Sequence, residues 1–425
     1  MDNPENRSAT LPRSDGLRIL YLGLVPPIPT TNGHRVRFRS LLCALSGEGH
    51  EVALVCFADA NELASPAPEL NELCAQVKLV PAPSQQSMAG ECWGRFRNLL
   101  SSMPYGAQRF CSKLMGDAVR RTLDNQRFDA IICDDIYMLS NLPAKIDLPI
   151  LLNKDDITYE VMGHYLDYER NPLKRLYGRL EQGKVRRFEI EACANSTAVL
   201  ACSERDAQMI RGVCPNARTP VLPNVVDVES YQPAYEDDGR TLLFVGAMDW
   251  FPNRDAVDYF IAEILPRVRR LVPGARFVVA GRNPSQATLR RYSTLADVEF
   301  TGSVVDMRPI IAQAAVCVVP LRMGSGTRMK ILEAAAMGKA IVSTTLGAEG
   351  LEFADGSEIL LADAPQTFSA AAAALLSDPA RRRLLGRAAR RRVEQLHSIA
   401  TLRQSLREVT ALVDAHQATE VASIA

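Results

Sequence analysis

The sequence predicts an α/β protein built from two parallel-sheet domains. Short runs rich in Val, Ile and Leu recur along the chain, helix-period segments separate them, and the runs fall into two batches. The runs are apolar throughout instead of alternating, as strands buried on both faces of a parallel sheet require. The chain has 425 residues, and domains usually have about 100–200 residues, so two domains are the natural expectation.

The strands can be placed in chain order. The first batch is RILYLGL, EVALVCFA, DAIICDD, PILLNK and TAVLAC, and the second is TLLFVGA, RFVVAG, VEFTGS, VCVVPL, AIVSTT and EILLAD. Between them, VLPNVVDVESYQPAYEDDGR is rich in proline and charge and is expected to join the domains. We therefore place a disordered tail at 1–16 and domains at 17–222 and 223–400. A C-terminal helix with a tail, at 401–425, is expected to pack back toward the first domain.

Composition and charge exclude several classes of protein. Lys plus Arg and Asp plus Glu both total 49, so no net charge attracts the chain to nucleic acid. Residues 1–16 lack the apolar centre of a signal peptide, and no run reaches the roughly 18 apolar residues of a spanning helix. Ten scattered cysteines without zinc-site spacing are typical of a reducing compartment. We therefore expect a cytoplasmic protein, at most peripheral on the cytoplasmic face of a membrane.

Loops at the carboxyl ends of parallel strands are where ligands usually bind. In the first such loop, PPIPTTNGHRVR, Asn32 is the expected N-cap of a helix. Gly33 either allows backbone to approach a phosphate closely or is a simple turn glycine. The chain has no G-x-G-x-x-G, D-x-D, H-E-x-x-H, G-x-S-x-G or P-loop motif. Dinucleotide binding, metal-dependent phosphate chemistry and acyl hydrolysis by standard motifs are therefore disfavoured.

The segment GSGTRMKILEA, after the strand VCVVP, has the residues of an anion site. Gly324 and Gly326 lie in the loop, and a helix is expected to begin near Thr327. The positive end of a helix attracts anions, whereas Arg328 and Lys330 in its first turn oppose the helix dipole. Each cation costs about 0.3–1 kcal/mol unless an anion is bound. The pattern therefore indicates a phosphate-binding site.

Glu333 lies three residues beyond Lys330 and so on the same helix face. A carboxylate behind a diphosphate site can accept hydrogen bonds from two ribose hydroxyls. The segment as a whole therefore predicts a nucleoside diphosphate as its ligand. The alternative is an exposed ion pair between Lys330 and Glu333 on the surface of a helix.

The chain resembles family 4 glycosyltransferases of the GT-B architecture, in the branch with a G-T-R-x-K-I-L-E block. The matching pieces are PTTNGHRVR, VLPNVVDVESYQP, LLFVGAMDWFPNRDAV, VEFTGSVVDMRPIIAQAAVCVVPL and GTRMKILEAAAMGKAIVSTTLGAEGLEF. The resemblance implies two Rossmann-like domains facing across a cleft, with the acceptor bound mainly by the first and the donor by the second. It implies retaining, metal-independent transfer from a nucleoside-diphosphate sugar to a glycan or lipid-linked acceptor, in polysaccharide or glycoconjugate synthesis.

The resemblance also assigns residues. It implies that the donor is bound by Gly33, Gly246, Val304, Gly326, Thr327, Arg328, Lys330 and Glu333. Arg328 and Lys330 take the phosphate role and are the expected catalytic residues, without a metal ion or other cofactor. Glu333 matches the second glutamate of the family's Glu, seven residues, Glu motif, which holds the ribose. Ser325 stands where the first glutamate is expected, and Ala247 replaces an arginine that usually follows the strand.

The acceptor side is predicted from ILLNKDDITYEVMGHY, which follows a strand of the first domain. Asp156 is our candidate for a contact with the acceptor hydroxyl, and its alternative role is the N-cap of the next helix. Two other classes of function remain open. One is a sugar-nucleotide epimerase or phosphorylase on the same plan, and the other is a non-catalytic relative that binds a nucleotide and a partner.

A mixed apolar and basic segment at 91–123 raises the question of a membrane. Trp93, Phe96, Leu99 and Leu100 fall near one helical face, with arginines beside them. We predict that this segment lies on an anionic leaflet, so that the acceptor cleft opens toward a lipid-linked glycan. A core helix followed by a cationic surface would give the same pattern.

Overall fold

The structure is a computed structural model that describes residues 16–83 and 88–424. The described residues form two six-stranded parallel sheets, each covered by helices. The predicted α/β class with two parallel-sheet domains is confirmed. Of the tail predicted at 1–16, residues 1–15 lie outside the described residues.

The first sheet has the strand order β3-β2-β1-β4-β5-β6. Its strands are β1 Arg18–Gly23, β2 Glu51–Ala58, β3 Gln76–Pro81, β4 Ala130–Asp134, β5 Ile150–Lys154 and β6 Ala198–Ala201. The sequence prediction found five of these and missed β3. This strand lies at the edge of the sheet and is only partly buried. Its sequence, QVKLVP, therefore lacks the continuous apolar run that marks the other five.

Nine α-helices lie in the described residues between β1 and the second sheet. They are α1 Gly33–Gly47, α2 Ala60–Ala64, α3 Leu70–Leu73, α4 Met88–Asn98, α5 Tyr105–Phe110, α6 Lys113–Asn125, α7 Thr158–Tyr168, α8 Pro172–Ala194 and α9 Glu204–Val213. The side chain of Asn32 accepts a 3.0 Å hydrogen bond from the Arg35 N–H, which confirms the predicted N-cap of α1. The cap fixes the direction in which α1 leaves the loop after β1.

The second sheet has the order β12-β11-β10-β7-β8-β9. Its strands are β7 Thr241–Val245, β8 Arg276–Ala280, β9 Val298–Gly302, β10 Val316–Val319, β11 Ala340–Ser343 and β12 Leu360–Leu361. Each of the six predicted runs contains one of them. The helices that follow are α10 Phe251–Tyr259, α11 Leu265–Leu271, α12 Gln286–Tyr292, α13 Arg308–Gln313, α14 Met329–Ala336, α15 Pro365–Ser377, α16 Pro379–Leu396 and α17 Ile399–Ile424.

The last helix, α17, packs against the first sheet's helices instead of the second domain. Leu402, Leu406, Val409 and Val413 are buried in the same core as the apolar face of α1. The chain therefore passes between the domains twice. The two crossings touch, because the Val226 N–H donates to the His397 carbonyl at 3.0 Å and His397 Nδ1 lies 2.8 Å from the Asn224 carbonyl oxygen.

The helix α4 lies on the surface with its aromatic side chains in solvent. Trp93 is 62% exposed, Phe96 63% and Leu100, just beyond the helix, 96%. The alternative interpretation of this segment as a core helix is therefore wrong. In the described part of the chain, no helix combines the length and apolar character that crossing a bilayer requires.

Replacing Leu406 by alanine should lower the free energy of unfolding by about 2–5 kcal/mol, because it leaves a cavity in the core that α1 and α17 share. Urea denaturation followed by circular dichroism measures the change. Glu408→Ala, at an exposed position of the same helix, is the matched control and should shift stability by less than about 0.5 kcal/mol. Equal denaturation midpoints for the two variants would contradict a structural role for α17.

Candidate active site

The strand order of both sheets reverses beside the first strand of each domain. In the first sheet β1 lies between β2 and β4, and in the second β7 lies between β8 and β10. Ligands bind at such switch points, outside the carboxyl ends of the strands. The two edges meet, because a Cβ on Gly33 would lie 3.4 Å from Met329 Cγ, and one on Gly326 would lie 2.2 Å from the Asp155 carbonyl oxygen. Only glycine fits at position 326.

The loop between β10 and α14 forms the second domain's side of this meeting point. The helix α14 begins at Met329 and not near Thr327 as predicted. The difference arises because Gly326 adopts a φ of 74° and Arg328 is extended, with φ −95° and ψ 104°. Arg328 occupies the N-cap position, and no side chain caps the helix. The amino end of α14 therefore offers free N–H groups and the positive end of its dipole.

Arg328 is enclosed in this loop with part of its guanidinium unpartnered. Its Nη1 donates to the Ser325 carbonyl, whereas Nε and Nη2 are buried without a hydrogen-bond partner among the described residues. Burial lowers the pKa of the guanidinium, although Asp156 and Glu349 oppose the shift. Buried donors without a partner are rare in proteins and call for a ligand or another explanation. A bound anion would supply the missing acceptors.

Lys330, the second residue of α14, lies in a similar setting. Its Nζ donates to Asn253 Oδ1 at 2.9 Å and lies 4.0 Å from the centre of the Phe244 ring. A Cβ on Gly246 would lie 2.9 Å from the same Nζ, so the glycine leaves room for the ammonium. Burial, and then the charge of Arg328, lowers the pKa of Lys330 to about 7. Keeping this lysine charged therefore requires a compensating negative group.

Glu333 lies next to Lys330 on the helix but does not pair with it. Its Oε1 accepts a 3.2 Å hydrogen bond from the Tyr231 hydroxyl, and burial raises its pKa to about 7. No ion pair within 4.0 Å joins Lys330 and Glu333 among the described residues, and neither side chain is exposed. The alternative interpretation as an exposed surface ion pair is therefore wrong.

The other predicted donor residues are placed along the same edge. Thr327 accepts a 2.5 Å hydrogen bond at Oγ1 from Asn224 Nδ2, which ties the loop to the domain junction. Val304 is half-buried in the loop after β9, two strands away from β7. The structure thus brings Gly33, Gly246 and the 326–330 segment together, with Val304 farther along the edge.

The first domain contributes a charged cluster that the sequence prediction missed. His34 Nδ1 lies 2.5 Å from Asp155 Oδ2, and Nε2 lies 3.1 Å from Asp134 Oδ2. Burial alone would lower the pKa of His34, but the two carboxylates raise it well above its usual value. Arg37 Nε lies 3.0 Å from Asp155 Oδ1. The sequence held one indication of this cluster. His34 and Arg37 follow Gly33, and Asp134 and Asp155 lie at the ends of two strands.

His34, Asp134 and Asp155 could also be considered as metal ligands. Their ligand atoms lie within 4.8 Å of one another. Each ring nitrogen of His34 faces a different carboxylate, however, so no single imidazole nitrogen shares a coordination point with both aspartates. Together with Arg37, the arrangement is an ion-paired cluster in which two cations face two carboxylates.

Asp156 lies at the cleft without a hydrogen bond or ion pair among the described residues. Burial raises its pKa to about 7, against the opposing effect of Lys154. Its alternative role as an N-cap is wrong, because α7 begins at Thr158 after Ile157. The N–H groups of Thr158 and the next residue both donate to the Glu189 carboxylate, at 3.1 Å each.

Ser325 links the two domains at the position where the resemblance places a glutamate. Its hydroxyl donates to Glu160 Oε2 at 2.9 Å and accepts from the Ile157 N–H at 3.3 Å. Arg205 holds Glu160 through Nη2 at 2.5 Å and reaches Glu349 of the second domain through Nε at 2.7 Å. A carboxylate from the first domain therefore lies beside Ser325.

Two family models match the chain, one in each half. A glycosyl transferase 4-like domain matches residues 32–225, and a glycosyl transferases group 1 model matches residues 239–378. An uncharacterized 44.6 kDa protein in the cps region of Klebsiella pneumoniae is 20% identical over 81% of this chain and 87% of its own length. Phosphatidyl-myo-inositol mannosyltransferase of Mycolicibacterium smegmatis is 31% identical over 32% of this chain, and the match spans only 36% of that mannosyltransferase.

Solved structures resemble the whole described architecture. Sucrose-phosphate synthase from Thermosynechococcus elongatus has a TM-score of 0.68 at 17% identity, covering 94% of this chain and 99% of that one. Anabaena HepE in complex with UDP-glucose has a TM-score of 0.63 at 13% identity, covering 93% and 99%. With a glycosyltransferase model matched in each half and two parallel sheets meeting edge to edge, the chain is a glycosyltransferase with the GT-B fold.

Proposed function

We propose that the chain is a retaining, metal-independent family 4 transferase. It moves a sugar from a nucleoside-diphosphate sugar to a glycan or lipid-linked acceptor in polysaccharide or glycoconjugate synthesis. The observation that carries the proposal is the pair of enclosed cations at the uncapped end of α14. Arg328 has two donor atoms without a partner, and Lys330 has a pKa lowered to about 7 by burial. Both features favour a strongly negative ligand.

The chemistry of glycosyl transfer explains why cations belong there. When the bond between the anomeric carbon and the diphosphate oxygen breaks, negative charge collects on the leaving diphosphate. Cations and free N–H groups that are already in position stabilise that charge where it develops. Arg328, Lys330 and the amino end of α14 would act in this way. Glu333 would accept hydrogen bonds from the ribose, while the Tyr231 hydroxyl donates to its Oε1.

Two of the compared proteins support parts of this proposal. The structure of HepE contains UDP-glucose, which supports a nucleotide-sugar donor for a chain of the same fold. The Klebsiella relative is named for the cps region, which supports a role in making a polysaccharide. Asp156 is proposed to contact the acceptor hydroxyl, because its pKa of about 7 lets it take up a proton near neutral pH.

An assay with sugar nucleotides separates transfer from the other two classes. The protein is first screened by thermal shift, since a ligand at a hundred times its Kd adds about 2.7 kcal/mol of stability. The stabilising donor is then incubated with and without glycan acceptors. Nucleotide release that depends on the acceptor supports the transferase. Epimerised donor or phosphate-dependent cleavage would support the epimerase or phosphorylase, and binding without turnover the non-catalytic relative.

Lys330→Met should raise the melting temperature of the ligand-free protein by a few degrees while weakening nucleoside diphosphate binding about tenfold or more. The reason is the burial that lowers the lysine pKa from 10.5 to about 7. Between these values the unfolded state holds a proton that the folded state lacks, so stability falls as pH falls and the penalty is complete below about pH 7. The variant should lose this pH dependence.

Lys339→Met is the matched control for that variant. Lys339 is also enclosed, but its Nζ donates to the carbonyls of Ala312 and Glu236, at 2.5 Å and 3.2 Å. Its loss should lower the melting temperature and leave the nucleotide Kd unchanged. A Lys330→Met protein that is less stable than wild type and binds the nucleotide equally well would contradict the anion site.

Glu333→Gln should lower the affinity for a nucleoside and for its diphosphate by similar factors, because both ligands contain the ribose. Arg328→Met should lower the affinity for the diphosphate far more than the affinity for the nucleoside. Isothermal titration with both ligands measures the two ratios, and Glu352→Gln, at an exposed position, serves as control. If both variants lose affinity for the two ligands alike, the ribose and phosphate assignments are wrong.

A further inference from the structure

The first domain has an apolar surface formed by two neighbouring helices. On α4 and the turn after it, large side chains are in solvent, and a second set lies on the first half of α8. The exposed fractions are 62% for Trp93, 63% for Phe96, 96% for Leu100, 77% for Leu173, 62% for Leu176 and 53% for Leu180. The three leucines of α8 are spaced by three and four residues, which places them on one helix face. We call this set the α4–α8 surface.

The helix α8 contacts the end of α4 and the start of α5. Lys184 Nζ of α8 donates to the carbonyl oxygen and Oδ1 of Asn98, at 2.6 Å and 2.9 Å. Glu181 of α8 accepts a hydrogen bond from the Tyr105 N–H, and the Arg95 guanidinium lies 5.6 Å from the Tyr105 ring centre. The aromatic side chains of α4 and the leucines of α8 are therefore carried on elements that contact each other.

Basic side chains surround the patch. A groove of about 390 Å³ opens between α4 and α5, lined by Gly94, Arg97, Leu100, Ser101, Tyr105, Gln108 and Arg109. Arg97 has no ion-pair partner in the described part of the chain, and Arg109 lies 3.9 Å from Glu91. Arg175, among the leucines of α8, is likewise exposed and unpaired within the described residues. The groove thus offers two guanidinium groups beside the hydroxyls of Ser101 and Tyr105, which are donors for a phosphate.

We propose that the α4–α8 surface docks the protein on the anionic leaflet of a lipid bilayer. The charge pattern selects this occupant, because an apolar patch bordered by unpaired cations complements acyl chains beneath anionic headgroups. Trp93 and Phe96, stacked with ring centres 5.9 Å apart, suit the boundary between headgroups and hydrocarbon. The groove with Arg97 and Arg109 receives the headgroup phosphate.

The helix before α8 in the chain, α7, contacts the second domain. Tyr165 of α7 packs edge-on against Phe251 of the second domain, with ring centres 5.0 Å apart. Arg322 of the second domain lies 5.1 Å from the ring centre of Tyr168, four residues before α8 begins. The start of α8 therefore lies close in the chain to the contacts between α7 and the second domain. Delivery of a lipid-linked acceptor rests on the proposed function, whereas docking itself does not.

Co-sedimentation of the full chain with vesicles tests the proposal. Phosphatidylcholine vesicles with and without phosphatidylglycerol are compared at low and high salt. We expect binding to the anionic vesicles at low salt, little binding to neutral ones, and release by salt. Arg97→Gln with Arg109→Gln should weaken binding on the order of tenfold or more, since each cation near the surface adds to the attraction. Trp93→Ala with Phe96→Ala should weaken it at both salt concentrations.

The controls distinguish the competing explanations. Leu384→Ala, on the second domain and 67% exposed in wild type, should bind like wild type. If inorganic phosphate binds the protein but vesicle binding does not fall, the groove binds free phosphate only. That result would contradict its role in binding the headgroup. Equal binding to neutral vesicles, or no binding, would overturn the proposal. Self-association of the protein that the Trp93 and Phe96 changes abolish would also overturn the proposal, because a second copy of the chain would then cover the surface.

The thermal shift caused by the donor is measured on the same variants. It should equal that of wild type, because α4 lies outside the donor site. Normal donor binding with lost vesicle binding supports docking as a separate property. Donor binding that fails in wild type while vesicles still bind would contradict only the proposed function.

Discussion

The burial of two positive charges at the start of α14 is the constraint on which the cleft depends. Arg328 and Lys330 are taken out of water without a carboxylate in ion-pair contact among the described residues. Such charges cost free energy, so the surrounding chain must hold them in place. Gly246, Gly324 and Gly326 supply the space, and the buried face of α14 anchors the loop in the second core.

The first domain completes this enclosure with neutral or self-balanced groups. Its own cations, His34 and Arg37, are matched by Asp134 and Asp155, so the cluster adds little net charge to the site. The first domain also contacts the α14 loop, through Ser325 and through His164 Nδ1, 2.8 Å from the Gly324 carbonyl oxygen. The loop that faces the ligand is thus also the loop that joins the domains. Any ligand that moves it changes the contact between them.

The sequence was sufficient to predict the structure where a residue's environment is set by its near neighbours in the chain. The strands β7, β8, β10 and β11 were predicted because burial makes them almost wholly apolar, whereas β3, which is only partly buried, was missed. The start of α14 was placed two residues early, since a glycine at positive φ leaves no trace beyond the residue itself. The cap of α7 comes from Glu189, about thirty residues away. The His34 cluster joins residues more than a hundred positions apart, which only the strand order brings together.

The path of α17 has a consequence for how the protein is made. The core of the first domain includes Leu402, Leu406, Val409 and Val413, which are synthesised only after the second domain up to α16. Domains generally fold in the order in which they leave the ribosome, but here the domain that emerges first lacks one wall of its core until α17 has emerged. The second domain, complete by α16, can fold while the first still exposes the apolar face of α1. Synthesis therefore leaves the first domain open to aggregation or chaperone binding while the whole second domain is being made.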